Sequence, residues 1–119
     1  MALRWEQLIV DAVDPVALGR WWAEALGWVV VAADADEYEI RPAPDRFPGL
    51  LFGRVAEKKT PLKNRLHLDF RPDDRDAEVA RLLTLGARHA DVGQSGEEAW
   101  VVLADPEGNE FCVLGSRQG

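Results

Sequence analysis

The feature that most limits the folds open to this chain is an internal echo. Its second half repeats the element order of its first at an offset of 59 or 60 residues. Asp14 matches Asp73, Leu26-Gly27 matches Leu85-Gly86, Asp45 matches Asp105 and Phe52 matches Cys112. Each half reads as strand, helix, strand, strand, strand. A unit with one helix and four strands covers one face of its sheet and leaves the other bare. Two such units can join their sheets and enclose a cavity between the bare faces. The expected class is therefore α+β: two tandem βαβββ modules forming a curved mixed sheet, with helices outside and a concave pocket. The expected layout is one domain over residues 1–119, with module one at 1–56, a linker at 57–63 and module two at 64–119.

The local signals agree with that plan. Residues 3–13 alternate imperfectly and read as a strand. Asp14-Pro15 is an N-cap followed by proline at the first helical position, and Gly27 suits the left-handed residue that ends a helix over 15–26. Strands follow at 28–33, 37–41 and 50–55, the last two separated by a loop carrying Pro42, Pro44 and Pro48. In the second half a strand over 64–70 precedes a helix capped by Asp73 or Asp74 and ended by Gly86. Further strands are expected at 87–92, 100–104 and 110–114, with turns at 93–98 and at Asp105-Pro106-Glu107-Gly108.

The candidate site comes from the strand over 64–70. Leu66, Leu68 and Phe70 alternate onto one face, and Arg65, His67 and Asp69 onto the other, about 6 to 7 Å apart. Gln7 stands seven residues before Asp14 and His67 six before Asp73, so they hold nearly the same place in their first strands. Phe52 and Cys112 hold the same place in the last strands. If the bare faces meet, Gln7, Phe52, His67 and Cys112 converge on one pocket, which Trp5 and Trp100 can line. Arg65 and Asp69 read either as an ion pair steadying the His67 imidazole or as a solvated pair. Cys112 reads as a small buried hydrophobe before it reads as a nucleophile, and His89 as a surface residue.

Composition narrows the partners. The 119 residues carry a net charge of −7, which repels nucleic acid and anionic lipid surfaces. No apolar run approaches the length of a membrane span, and no secretory signal is visible at the start. A single cysteine rules out an internal disulfide and fits a reducing cytoplasm. Five tryptophans in so short a chain suggest a bulky core or an aromatic-lined cavity.

The paired modules, the Asp-Pro-capped helix ending in Leu-Gly, the strand Lys63-Asn64-Arg65-Leu66-His67-Leu68-Asp69 and the closing Asp105-Pro106-Glu107-Gly108-Asn109-Glu110-Phe111-Cys112-Val113-Leu114 resemble the vicinal oxygen chelate superfamily. That superfamily includes glyoxalase I, bleomycin-resistance proteins and extradiol dioxygenases, and the small stand-alone glyoxalase-like domains are most similar. The resemblance implies four metal-ligand slots, which fall here on Gln7, Phe52, His67 and Cys112, with Glu110 one pleat from the last. Phe52 cannot ligate, and Cys112 stands where the superfamily usually has glutamate. The implied cofactor is a divalent metal at most, held by Gln7, His67 and Cys112, with zinc the most compatible.

The expected function is a protein that binds or sequesters a small molecule, aromatic or cationic, over a degenerate metal site. Two alternatives stay open: a metal-dependent lyase or dioxygenase, and an interaction module whose open face a partner covers. Apolar surface on the open sheet, together with the resemblance, implies a homodimer.

Overall fold

The computed structural model describes residues 3–91 and 99–117 and divides the chain into two compact units, Met1–Lys58 and Lys59–Gly119. Each has one helix and a four-stranded mixed sheet, so the α+β class and the two βαβββ modules are those the sequence implies.

In the first unit β1 (Gln7–Ala12) leads to α1 (Pro15–Leu26), followed by β2 (Val29–Ala33), β3 (Glu37–Arg41) and β4 (Gly49–Arg54). The strand order is β1-β4-β3-β2, with β1 and β4 parallel and the other pairs antiparallel. The helix has the limits its ends dictate. Asp14 Oδ1 accepts a hydrogen bond from the Ala17 N–H at 3.1 Å, and Gly27 closes the helix at φ 68°. Leu18, Trp22 and Ala25 bury one side of α1 among Tyr38, Ile40, Leu50 and Phe52. Tyr38 lies so close to Gly19 that a Cβ there would sit 2.2 Å from the ring.

That contact fixes which way the sheet faces. Tyr38 pairs in register with Phe52, so both rings point to the helix side, and Phe52 is completely buried. Phe52 is a core residue and does not line an open face, contrary to its expected place in the pocket. The neighbouring Leu51, in register with Ile9, holds the opposite face.

The second unit repeats the plan with β5 (Leu68–Phe70), α2 (Arg75–Leu85), β6 (Arg88–His89), β7 (Val101–Ala104) and β8 (Glu110–Val113), in the order β5-β8-β7-β6. Asp74 rather than Asp73 is the cap, accepting from the Ala77 N–H at 3.1 Å, and Gly86 ends the helix at φ 115°. Leu82, Leu103, Phe111 and Val113 are buried, and Phe70 meets Phe111 edge to face at 6.0 Å. The buried Asp105 carboxylate accepts from the N–H groups of Glu107 and Asn109, which builds the turn read from the sequence and leaves Asp105 structural.

The strand expected over 64–70 is shorter, and Leu66, assigned to its inward face, is 80% exposed. The cause is local. The Asn64 N–H donates to Glu110 Oε1, and Lys59 Nζ donates to the carbonyls of Thr60 and Leu62, so residues 59–64 are tied by side chains and not by a strand ladder. β1 likewise starts at Gln7 rather than at residue 3, and β6 ends at His89, short of the expected strand over 87–92. Residue 92 and the turn over 93–98 lie outside the described residues.

Candidate functional site

Register decides which side chains of the second sheet share a face. Asp69 pairs with Cys112 across β5–β8, and Cys112 with Val102 across β8–β7, so these three project the same way. Leu68, Phe70, Phe111 and Val113 take the other face. His67, one residue before β5, brings its imidazole back over Asp69, with Nε2 3.2 Å from Asp69 Oδ1. The ligating atoms of His67, Asp69 and Cys112 all lie within 4.8 Å of one another.

The three differ in access. The His67 and Asp69 side chains are 43% and 48% exposed, whereas Cys112 is buried. Burial pushes the Cys112 thiol up from 9.0 to about 11, and the charge of Asp69 and a hydrogen bond to its carboxylate add to the shift, against a smaller opposing pull from Lys63. The cluster is thus a chain of three groups centred on Asp69, with a protonated thiol on one side and an imidazole on the other. Such a thiol is a poor nucleophile. Imidazole and carboxylate, half open to solvent, are suited to hydrogen-bonding a ligand.

Nitrogen, oxygen and sulfur donors together suit zinc, with a fourth position for water or ligand. Zinc bonds of about 2.0 to 2.3 Å put neighbouring donors roughly 3.3 to 3.8 Å apart in a tetrahedron. The half-exposed His67 and Asp69 have room to close to that spacing; the buried Cys112 would have to lose its proton first. The donor set therefore fits a metal in composition, and it differs from the expected trio. Asp69 joins His67 and Cys112, whereas Gln7 belongs to the first unit, half-buried in β1.

Trp5 is 64% exposed and gives its indole N–H to the Gln7 carbonyl at 3.2 Å. Trp100 is exposed just ahead of β7. Arg65 is exposed, and no ion pair joins it to Asp69 among the described residues; His67 takes that place. The sequence reading passed over Asp69 as a metal donor, although the His-Leu-Asp spacing sets both side chains on one face of an extended chain.

The comparisons with known proteins bear on the whole chain. A family model described as a glyoxalase-like domain matches residues 7–114. No curated protein matches the chain. Among solved structures, an oxidase, ChaP-H2, is 19% identical with a TM-score of 0.65, covering 100% of this chain and 98% of its own. The bleomycin-binding protein of bleomycin-producing Streptomyces verticillus, solved with copper(II)-bleomycin, is 18% identical with a TM-score of 0.63, covering 98% of this chain and 99% of its own. A glyoxalase/bleomycin resistance protein/dioxygenase family enzyme of Burkholderia phytofirmans PsJN is 16% identical with a TM-score of 0.70, covering 93% and 97%. At these identities the likeness is one of fold.

Proposed function

This chain belongs to the glyoxalase-like domain family, and from that premise we propose that it binds a small molecule through the His67–Asp69–Cys112 cluster. One observation carries the reading: the three groups satisfy one another as a neutral-thiol chain, with imidazole and carboxylate facing outward. With the thiol at about 11, releasing its proton at pH 7 costs about 5 kcal/mol, which a metal would have to offset. A ligand that hydrogen-bonds to His67 and Asp69 meets no such cost. The exposed Trp100 ring, on the same unit as the cluster, and the net charge of −7 favour an aromatic or cationic ligand. The bleomycin-binding relative is a precedent for a drug-sized ligand on this fold. The lone cysteine fits a reducing cytoplasm, and exposed Ile9 and Trp5 fit a homodimer.

A second reading rests on the composition of the cluster. Zinc held by His67, Asp69 and Cys112 would supply Lewis-acid polarisation of a substrate oxygen. In that case Asp69 and the Cys112 thiolate would contribute the neutralising charge and His67 the nitrogen ligand.

Tryptophan fluorescence against a panel of cationic and aromatic metabolites and antibiotics tests the first reading. At least one compound should saturate, and Asp69→Asn should weaken it about tenfold. A panel in which nothing saturates sinks it. Elemental analysis of the purified protein separates the two readings, since stoichiometric zinc lost in His67→Ala would establish the second.

A further inference from the structure

A cleft of about 490 Å³ opens at the β6 side of the second unit, and its lining does not include His67, Asp69 or Cys112. Register builds it. Arg88 pairs with Ala104 and Ala104 with Glu110, so three side chains stand in one row across β6, β7 and β8. The outer two are about 10 Å apart at Cα, and the methyl group between them leaves the hollow.

The charges around it sort themselves. Lys59 and Glu110 neutralise each other: the ammonium's three protons go to the Thr60 carbonyl at 3.1 Å, the Leu62 carbonyl at 2.7 Å and Glu110 Oε1 at 3.4 Å. Glu110 Oε2, 3.3 Å from the same nitrogen but sealed from solvent, receives charge without a hydrogen bond. This pair is therefore wall and not ligand. Arg88 is exposed, and among the described residues no carboxylate pairs with it. Asp91 and Glu107 also line the cleft, and a carboxylate has room for several donors beyond those it already holds.

We propose that this cleft is a binding site for a small zwitterion of amino-acid or dipeptide size, with its carboxylate on Arg88 and its ammonium between Asp91 and Glu107. The planar guanidinium offers a two-pronged hold on a carboxylate. A simple anion would meet two carboxylates beside that single cation, and a simple cation would meet Arg88. A molecule carrying both charges on a short body is repelled by neither. The volume is in the range of small-molecule sites. This site is independent of the cluster reading.

Titration of the full ¹⁵N-labelled chain with β-alanine and with glycylglycine tests the proposal, with acetate and ethylamine as single-charge controls. One zwitterion or the other should give saturable shifts at the Arg88, Ala90, Asp91 and Gly108 amides, the better of the two identifying the length. Arg88→Ala, at an exposed position, should weaken that binding by at least about tenfold. Acetate and ethylamine should each bind about tenfold more weakly than the better zwitterion. The proposal fails if neither zwitterion saturates, if a single-charge control binds as well, if Arg88→Ala is indistinguishable from the parent chain, or if His67→Ala removes the response.

Discussion

Replacing Cys112 by serine should remove an alkaline instability that the thiol imposes on the fold. The folded thiol titrates near 11, against 9.0 for an unperturbed one, because burial and Asp69 disfavour its charged form. For a group whose folded value is raised, the stabilisation is complete below the unfolded value and is lost as pH rises through the folded one. The window is therefore pH 9 to 11. Between pH 8 and pH 10 the unfolded thiol ionises and the folded one largely does not, so the parent chain should lose about 1 kcal/mol more than Cys112→Ser. Tyr38 and the lysines are common to both chains and cancel in the difference. Urea unfolding of both proteins at the two pH values gives the quantity directly. Parallel losses, with no difference beyond error, would refute the claim that the thiol is held neutral by its surroundings.

Three further outcomes follow from the packing. Asp14→Ala and Asp74→Ala each remove a side-chain cap on a helix N–H and should each cost about 1 kcal/mol by denaturant unfolding. Gly19→Ala drives a methyl group into the Tyr38 ring and should cost about 1 to 3 kcal/mol; a neutral result would mean that the helix and sheet have slack there. Lys59→Met strands the mostly buried Glu110 carboxylate and should destabilise by about 3 to 5 kcal/mol, and adding Glu110→Gln should recover part of that loss.

The architecture was legible because its signals are local. Asp14-Pro15 and Gly27 bracket a helix whatever surrounds it, and the same grammar at Asp74 and Gly86 marks the second module. Register was not legible, since it depends on pairing. With Asp74 as the cap, the first strands align at an offset of 60 and Gln7 matches His67. Pairing of Ile9 with Leu51 and of Asp69 with Cys112 aligns the last strands at 61, so Leu51 and not Phe52 is the counterpart of Cys112. A shift of one residue reverses the face of a strand, which turned a core phenylalanine into an apparent pocket residue. Leu66 failed for a different reason. Alternation suggested a longer strand, but the chain just before it is tied locally by Lys59 and from 46 residues away by Glu110. Asp69 was recognised beside His67, yet its role as the centre of the cluster depends on Cys112 lying opposite it, which only the parallel ladder reveals.

The most direct test is to follow the His67 imidazole and the Asp69 and Cys112 amides by NMR while a compound that quenches tryptophan fluorescence is added. The binding account requires these three resonances to move together and saturate at the concentration where fluorescence does. A compound that saturates the fluorescence while all three stay still would place the ligand elsewhere and contradict the assignment of the site.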